Sequence, residues 1–380
     1  MSILEFKNPY PSLPPTKVSL LHTSKLDATA LANIGFFSTV DRESTHILLT
    51  DSNVAASMLD ELKDMFNNLR IKIHPVIVVP GESSKTIQAY THVLDACADV
   101  GITKESTVIG IGGGVVKDLS GFLASTFLRG LNLVLMPTTV LAQVDAAIDW
   151  RHSLNLPHGK NLIGSILAPA EILINAGFLK SLNDRWIRDG LAESIKIALC
   201  QSPDFLTLLS QANPSDFTWL CRVIDISVSE KIVAMNRDSA PDQAMLVYGH
   251  AIGHAIEHLA EGELGHGEAI SIGMCVTAEL SLLAGLSDEL TLKAHYNAFT
   301  AFGLPTIVPD KYDLHQIWSV IRADKRFRGD KMCAPAVKTI GTLVADGNGK
   351  CFLPFGAEIV IRALELNKSR GKTIGKFVQN

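Results

Sequence analysis

The sequence predicts an α/β domain of Rossmann-like character followed by an all-α domain. Up to about residue 176, short β-branched runs alternate with helix-like segments, and from about residue 177 onward apolar residues recur every three or four positions. The length of 380 residues agrees with this division, because a single core stops growing at about 250–300 residues. We therefore expect two domains, residues 1–176 and residues 177–380.

The predicted strands of the first domain are short, rich in β-branched residues and bounded by turn-forming residues. In chain order they are residues 17–21, 46–49, 72–79, 106–111, 132–136 and 171–174. The predicted helices between them include residues 54–67 and 85–100, and a Pro-rich segment, residues 9–15, is expected to form an extended arm. This alternation is typical of an open α/β sheet, an architecture compatible with nucleotide binding.

The predicted helices of the second domain follow from the three- and four-residue spacing of its apolar positions. They are residues 186–199, 217–235, 244–259, 269–284 and 287–302.

The composition excludes several classes of protein. Hydrophobic residues make up 47% of the chain and charged residues 19%, so the chain can bury a large core and is not disordered. A formal net charge of -5 argues against a nucleic-acid partner. We expect no membrane partner, because the chain has neither a signal-peptide pattern nor an uninterrupted apolar stretch of about 18 residues. Six cysteines without a CxxC pair indicate a reducing, cytoplasmic environment.

A glycine cluster, Gly112-Gly113-Gly114, separates a predicted strand from a helix. Backbone N–H groups at such a helix start can approach a pyrophosphate with no Cβ in the way. The spacing is not GxGxxG, and the glycines alone are equally compatible with an ordinary tight turn. Thr138 and Thr139 follow the next strand, where they could bind a ribose or phosphate or simply cap a helix.

Three histidines, His250, His254 and His266, have a spacing suited to a metal ion. His250 and His254 are four residues apart and therefore share one helix face, while His266 returns after a glycine-containing loop. A carboxylate from elsewhere would complete a site for zinc or a similar divalent ion. A single histidine of this kind is usually structural. Glu257 and His258 are expected to face solvent or to cap the helix end.

Glu193 and Lys196 lie three residues apart in a helix that is otherwise apolar nearly all round. The pair is either an exposed ion pair or a buried pair with a specific role. Glu193 is the candidate fourth metal ligand. Asp145, Arg151, Lys160 and Asn161 are polar groups in the connection between the two halves, where a doubly wound sheet commonly places its ligand crevice.

Together these motifs resemble the 3-dehydroquinate synthase-like sugar phosphate cyclases, which include dehydroquinate synthase, 2-deoxy-scyllo-inosose synthase and the epi-valiolone synthases. The likeness covers about residues 45–335. Its motifs are Gly112-Gly113-Gly114 with Asp118, Arg129-Gly130, Pro137-Thr138-Thr139, Gly159-Lys160-Asn161, Gly190-Leu191-Ala192-Glu193 with Lys196, Gly249-His250 with Gly253-His254, and His266-Gly267-Glu268.

The resemblance implies an NAD-binding first half and a second half that binds a divalent metal, most often zinc, with cobalt as the alternative. The implied metal ligands are Glu193, His250 and His266. The residues implied to line NAD are Asp51, Asn53, Glu82, Lys85, Gly113, Gly114, Asp118, Thr138 and Thr139. Those implied to face a phosphorylated sugar are Asp145, Arg151, Lys160, Asn161, Lys196, Lys231 and His254, with Arg129 supplied by the other subunit of a homodimer. The implied reaction is a transient oxidation, phosphate elimination, re-reduction and intramolecular aldol closure to a carbocycle.

Several departures from the family bear on the substrate. Arg151 stands where family members carry lysine, and arginine does not readily give up a proton. Gln243 and Val247 stand where dehydroquinate synthases carry an Arg and an Asn, and the Arg is implied in recognising a substrate carboxylate. Arg237 lies upstream and could be re-aimed to that role. The segment Asp324-Lys325-Arg326 resembles the family's late basic motif.

Gln243 and Val247 favour a cyclase of the 2-deoxy-scyllo-inosose synthase type, acting on a sugar phosphate without a carboxylate, although those synthases carry a carboxylate at the position of Val247. A divergent 3-dehydroquinate synthase is the alternative within the family. Outside it, a metal-dependent polyol or glycerol-phosphate dehydrogenase and a non-catalytic homologue remain open, although Lys160-Asn161 and Glu193 with Lys196 favour the cyclase.

Overall fold

A computed structural model describes residues 2–6, 14–24, 27–211, 214, 216–323 and 327–377. The chain divides into two compact units, Met1–Asn183 and Asp184–Asn380. Residues 177–183 therefore belong to the first unit. The motif at residues 324–326 and residues 9–13 of the expected N-terminal arm lie outside the described residues.

The first unit is built on a seven-stranded sheet. The strands of this unit are β1 Ser2–Phe6, β2 Thr16–Leu20, β3 Thr45–Asp51, β4 Lys72–Val78, β5 Thr107–Gly112, β6 Asn132–Pro137, β7 Arg151–Leu156, β8 Gly159–Ile166 and β9 Glu171–Ile174. In the sheet their order is β1-β2-β9-β6-β5-β3-β4, and all neighbours pair in parallel except β1 with β2. The six predicted strands are confirmed as β2 to β6 and β9.

The hairpin of β7 and β8 stands apart from the sheet and was not predicted. Its sequence alternates only in part, with His152 and Leu154 buried and their neighbours more exposed. The sequence pattern predicts a connection here rather than strands, because the alternation is incomplete.

The helices of the first unit are α1 Ala28–Asn33, α2 Ser52–Asn68, α3 Ile87–Val100 and α4 Gly114–Thr126. Helix α3 begins two residues later than predicted because Thr86 is its N-cap and accepts a hydrogen bond from the backbone of Ala89 at 3.2 Å. A core of Leu48, Ile109, Val134 and other apolar side chains of the strands packs against α1 and α2.

The second unit is mainly helical. Its helices are α5 Asp184–Gln201, α6 Pro203–Ser210, α7 Phe217–Arg237, α8 Ala240–Leu246, α9 His250–Ala260, α10 His266–Leu283, α11 Glu289–Thr300, α12 Leu314–Arg322 and α13 Ala357–Phe377. Short strands, β10 Phe327–Arg328, β11 Lys331–Ala334, β12 Val337–Thr339, β13 Thr342–Leu343 and β14 Leu353–Gly356, lie before α13. Within the described residues no helix is both long and apolar enough to cross a membrane.

One predicted helix, residues 244–259, is wrong because it is two helices, α8 and α9. The break occurs at Gly249, which adopts a left-handed φ of 76°. A Cβ at this position would lie 2.3 Å from Met274 Cγ, so the turn requires glycine. Helix α10 begins at His266, three residues before its predicted start at residue 269. His250 and His266 are therefore each the first residue of a helix.

Candidate active site

Three predicted metal ligands converge in the second unit. Glu193 on α5 places its Oε1 atom 3.6 Å from His250 Nε2 and 3.7 Å from His266 Nε2. The Glu193 side chain is 1% exposed, whereas the His266 side chain is 24% exposed. One carboxylate oxygen and two ring nitrogens thus face one another at a buried point with partial access to solvent.

The spacing of these atoms suits a divalent cation. Ligand atoms about 2.0–2.2 Å from a tetrahedral zinc ion lie about 3.3–3.6 Å from one another, close to the separations between Glu193 Oε1 and the two Nε2 atoms. Two imidazoles and one carboxylate also form a ligand set of the catalytic kind, in which a further position stays open for water or substrate. The residues present therefore fit a metal ion.

Lys196 holds the other oxygen of Glu193. The Lys196 ammonium contacts Glu193 Oε2 and donates to the carbonyl oxygen of Leu246 at 2.9 Å. Burial by itself raises the pKa of Glu193, but the Lys196 ammonium and the two imidazoles lower that pKa well below its ordinary value. Glu193 is therefore ionised with Oε1 directed to the histidines. The alternative of an exposed Glu193–Lys196 ion pair is wrong, since both side chains are at most 2% exposed.

The two histidines differ in their protonation. Burial, followed by the nearby Lys196 ammonium, lowers the pKa of His250 well below its ordinary value. Burial also acts to lower the pKa of His266, but hydrogen bonds to Glu193 and Glu257 raise it to about 10. These directions favour neutral imidazole at His250 and imidazolium at His266, so a cation bound between them would displace a proton.

His254 lies beside this group. Its ring centroid is 5.2 Å from that of His250 and 5.7 Å from that of His266. Ring nitrogens of all three histidines lie within 4.8 Å of one another, so a three-histidine metal site is the alternative ligand set. The approach of Glu193 Oε1 to His250 and His266 favours the set that contains Glu193. Lys231, predicted to face substrate, is buried on α7.

Close packing of α10 on α5 positions His266. A Cβ on Gly267 would lie 1.8 Å from the carbonyl oxygen of Asp189, so only glycine fits next to His266. Asp189 Oδ1 accepts a hydrogen bond from the Glu268 backbone at 2.9 Å, and burial raises the Asp189 pKa to about 6. Arg185 donates to both oxygens of the Glu268 carboxylate at 2.8 and 2.6 Å. These contacts fix the start of α10 and with it the backbone of His266.

The interpretation of Glu257 as a solvent-facing or capping residue is wrong. Its side chain is 17% exposed, and its Oε2 atom lies 3.3 Å from His266 Nδ1. The available sequence signal was its position seven residues after His250 and three after His254, which places all three on one face of α9. Sequence reasoning discounted this signal because Glu257 lies near the helix end.

A second polar cluster in the first unit joins several residues predicted to line NAD. The buried Lys85 ammonium contacts the Asp118 carboxylate and lies 4.0 Å from Glu82 Oε1. It also donates to Asn161 Oδ1 at 2.5 Å. Asn161, which is predicted to face substrate, is therefore hydrogen-bonded to Lys85, which is predicted to bind NAD. Asn155 completes the cluster by donating to Glu82 Oε1 at 2.7 Å and accepting from the Asn161 backbone at 2.9 Å.

Lys117 is a further member of this cluster that sequence reasoning missed. Its side chain is 6% exposed, its ammonium lies 3.2 Å from Asp118 Oδ1, and it also contacts the carbonyl oxygen of Arg151. Burial raises the pKa of Asp118, but Lys117 and Lys85 lower it below its ordinary value. The signal was available in the run Gly112-Gly113-Gly114-Val115-Val116-Lys117-Asp118, where Lys117 is the only cation.

The glycine cluster forms the start of α4. Gly113 is its N-cap, and no side chain of the described residues caps this end of the helix. A Cβ on Gly114 would meet open space, which leaves room for a ligand next to the first N–H groups. Such a helix start is suited to a pyrophosphate.

The other residues that are predicted to line NAD make local hydrogen bonds through their side chains or backbone. Asp51 caps α2 through hydrogen bonds from the backbones of Asn53 and Val54 at 2.9 and 3.1 Å. Thr139 Oγ1 accepts from the backbone of Ala142 at 3.1 Å, as the helix-cap interpretation expects. Thr138 follows β6, and its backbone donates to Gly112 at 3.0 Å.

The predicted substrate-facing residues of the first unit are more exposed. Arg151 is 67% exposed and donates through Nε and Nη2 to the Asp149 carboxylate at 3.0 and 2.6 Å. Lys160 is exposed in the hairpin, and Asp145 lies in the one-turn π-helix Ala142–Ala146. Arg129 is exposed in a loop where it adopts a positive φ of 67°.

In the segment that precedes His250, the polar side chains contact one another. Arg237 Nη2 donates to Asp242 Oδ1 at 2.8 Å, and the Asp242 side chain is 4% exposed. The Gln243 amide contacts the Asp238 carboxylate. Arg237 is therefore engaged by a carboxylate of this chain.

Comparison with known proteins gives a consistent result. The family model described as 3-dehydroquinate synthase N-terminal matches residues 75–189, and the model described as 3-dehydroquinate synthase C-terminal matches residues 190–327. The 3-dehydroquinate synthase of Clostridium kluyveri is 32% identical over 301 residues, which cover 78% of this chain and 83% of that protein. That of Desulforamulus reducens is 35% identical over 270 residues, 69% of this chain and 75% of that protein.

Solved structures with the same fold are similar over nearly the whole chain. A 2-deoxy-scyllo-inosose synthase complexed with carbaglucose-6-phosphate, NAD+ and Co2+ has a TM-score of 0.84 and 22% identity, and the match covers 96% of this chain and 100% of that one. The 2-epi-5-epi-valiolone synthase of Streptomyces hygroscopicus, with NAD+ and Zn2+ bound, has a TM-score of 0.83 and 22% identity, and the match covers 96% of this chain and 99% of that one. The predicted fold class is confirmed.

Proposed function

The chain belongs to the 3-dehydroquinate synthase family of sugar phosphate cyclases, and we propose that it acts with NAD and a divalent metal on a sugar phosphate that has no carboxylate. The observation that carries the proposal is the convergence of Glu193 Oε1 with the Nε2 atoms of His250 and His266. Structural relatives that hold NAD+ together with Co2+ or Zn2+ support the same cofactors here. A bound divalent ion of this kind polarises alcohol and ketone oxygens.

The residues around the metal site have distinct roles in this proposal. Glu193, His250 and His266 hold the ion, and Lys196 keeps Glu193 ionised and oriented. His254 is close enough to the two ligand histidines to hold or move a proton at its imidazole. Lys231 supplies positive charge from α7 for a phosphate group.

The first unit supplies the dinucleotide site. Gly113 and Gly114 offer N–H groups at the start of α4 to the pyrophosphate. Lys85, held by Asp118, contributes a buried cation, and Glu82 and Asn161 fix its position. The exposed Lys160 and Arg151 are the candidate phosphate contacts of this unit.

The pairing of Arg237 with Asp242 supports a substrate without a carboxylate. A guanidinium that recognises a carboxylate offers two parallel N–H donors, but Arg237 directs one of its terminal nitrogens to a carboxylate of this chain. Gln243, at the position where dehydroquinate synthases carry an Arg, is a neutral amide and cannot replace it. A hexose 6-phosphate fits these constraints, and the relative complexed with carbaglucose-6-phosphate agrees with that choice.

Phosphate release tests the proposal. The protein, with NAD and zinc or cobalt, is incubated separately with glucose 6-phosphate, sedoheptulose 7-phosphate and 3-deoxy-arabino-heptulosonate 7-phosphate. We expect phosphate release from one of the first two without net NADH, because the hydride is returned. Release from the third compound alone would show a divergent 3-dehydroquinate synthase, the alternative favoured by the identity of 32–35% to curated relatives. Stoichiometric NADH would identify a dehydrogenase, and no turnover of any compound a non-catalytic homologue.

We also propose that the active form is a homodimer in which Arg129 of one subunit reaches the phosphate bound by the other. Arg129 is exposed, and the left-handed conformations of Leu128 and Arg129 hold this loop in an unusual shape. Mixing inactive Arg129→Ala and inactive His250→Ala proteins should restore part of the activity through mixed dimers. A mixture that stays inactive after subunit exchange would contradict the proposal.

A further inference from the structure

Each of the two ligand histidines has an acceptor at the ring nitrogen that faces away from the metal site. His250 Nδ1 lies 3.0 Å from the carbonyl oxygen of Tyr248, and His266 Nδ1 lies 3.3 Å from Glu257 Oε2. The Nε2 atoms of both rings face Glu193 Oε1. The two histidines therefore share one arrangement, with a backbone acceptor for one ring and a carboxylate for the other.

An acceptor at Nδ1 decides how a histidine can bind a metal. It keeps the proton on Nδ1, so the lone pair is on Nε2, and it prevents the ring from turning over. The backbone of His266 is already fixed by Asp189 and by the close approach at Gly267, so ring rotation is its main remaining freedom. Glu257 is in position to remove that freedom.

The partner of His250 is a backbone carbonyl and cannot be altered by substitution, whereas Glu257 is a side chain. Glu257 lies on α9, the helix that begins with His250, and contacts the histidine that begins α10. It thereby links the second half of α9 to the start of α10.

We propose that Glu257 is a positioning residue of the metal site, which orients His266 and holds its proton on Nδ1. This inference rests on the proposed function, because it takes Glu193, His250 and His266 as the ligands. Glu257 does not itself touch the metal in this arrangement. Its effect is on metal affinity and geometry.

The test compares metal binding by the full chain and two variants, Glu257→Ala and Glu257→Gln. The dissociation constant of zinc is measured by competition with a chromophoric chelator, and the visible absorption of the cobalt-substituted protein reports the ligand geometry. We expect Glu257→Ala to weaken zinc binding about 10–100-fold and to shift the cobalt bands. Glu257→Gln, whose amide oxygen can still accept from Nδ1, should weaken it less than Glu257→Ala. Zinc binding by Glu257→Ala within twofold of the wild type would overturn the proposal.

Glu263→Gln is the matched control. Glu263 lies just beyond the same helix, is 67% exposed and contacts the surface residue Lys311. Its loss should leave zinc affinity and cobalt absorption unchanged, and the same weakening in this control would overturn the assignment to Glu257. If Glu257→Ala does not fold, Glu257→Leu, which keeps most of the side-chain volume but has no acceptor, decides, and an unchanged zinc affinity in it would overturn the proposal.

The outcomes separate this inference from the proposed function. If the wild-type protein binds zinc tightly but releases no phosphate from any sugar phosphate, the proposed function is contradicted. The role of Glu257 is then still decided by the zinc dissociation constants of the variants. A wild-type protein without stoichiometric metal would overturn both.

Discussion

The proposed metal site of the second unit and the polar cluster of the first unit differ in what their charged groups contact. Around Glu193, the Nε2 atoms of His250 and His266 face one carboxylate oxygen, and Lys196 contacts the other oxygen. Around Asp118, Lys85 and Lys117 both contact the carboxylate, and Lys85 also donates to Asn161. The first arrangement is ready to receive a cation. In the second, a ligand must replace contacts that the side chains already make.

This difference follows from the elements that carry the residues. The proposed metal ligands stand on α5, α9 and α10, and contacts of Gly249, Gly267 and Asp189 fix the starts of α9 and α10. Residues of the first cluster stand on a turn, on the start of α4 and on a hairpin apart from the main sheet. Rigid elements give precise geometry, whereas loops and hairpins can adapt to a bound cofactor.

The largest effect is expected from His250→Ala. Its loss removes one of the proposed ligands, so bound metal should fall below stoichiometric amounts and phosphate release should fall by about a thousandfold or more. Metal content by mass spectrometry and turnover are measured on the same preparation. Dinucleotide affinity should be unchanged, since the first unit is untouched, and stoichiometric metal in this variant would contradict the ligand assignment.

Lys196→Met should destabilise the metal-free protein strongly. It leaves the buried Glu193 carboxylate without its ammonium, which costs about 3–5 kcal/mol when one partner of a buried pair is removed. Denaturation by urea measures the change in the free energy of unfolding. Lys311→Met, which breaks an exposed pair, is the control and should leave the free energy of unfolding nearly unchanged. Equal effects of the two substitutions would refute the role assigned to Lys196.

The first unit should lose stability in acid through His152. Burial, and then Lys117, lower the pKa of this histidine to about 4, and its side chain is completely buried. The pKa of a histidine in the unfolded chain is about 6.5, so at pH values between 6.5 and 4 the unfolded chain binds a proton at His152 that the folded protein does not. The contribution of His152 to the free energy of unfolding is therefore fully present above about pH 6.5 and declines as the pH falls toward 4. Over this pH range the loss in the free energy of unfolding that is due to His152 is about 3 kcal/mol.

His152→Gln tests this pH dependence, because glutamine can still donate to Leu167 O, which lies 3.0 Å from His152 Nε2. Urea denaturation at several pH values between 7 and 4.5 should show that the free energy of unfolding falls less steeply with pH in the variant than in the wild type. Parallel curves would show that His152 does not cause the acid sensitivity.

A smaller effect is expected from Lys85→Met. The substitution removes one of two lysines that contact Asp118, and Lys117 remains in place. NAD affinity, measured by titration, should fall about tenfold, equivalent to about 1.4 kcal/mol. Zinc affinity should stay at the wild-type value. A change in zinc binding with unchanged NAD affinity would reverse the assignment of the two sites.

Much of the fold was accessible from the sequence because the relevant patterns are local. β-Branched runs predicted six strands of the main sheet, and apolar spacing predicted most of the long helices. The break between α8 and α9 was missed because helical periodicity continues through Gly249, and only its contact with Met274 on α10 requires the left-handed turn. The hairpin at residues 151–166 was missed because its pairing lies outside the main sheet.

The candidate site shows the same limit. His250, His254 and His266 are visible as a spacing, and the motif around Glu193 is visible through the family resemblance. Glu257, Asp189 and Lys117 were missed because their roles depend on which helix or strand packs against them. Spacing along one helix identifies ligands, whereas the residues that orient those ligands come from tertiary packing.

In the proposed site Glu193, rather than His254, is the third metal ligand. The zinc content of Glu193→Ala and His254→Ala, measured by mass spectrometry after dialysis of the loaded proteins, tests it directly. We predict that Glu193→Ala loses stoichiometric zinc while His254→Ala retains it and loses turnover. Retention of zinc by Glu193→Ala together with its loss from His254→Ala would contradict this account and establish the three-histidine site.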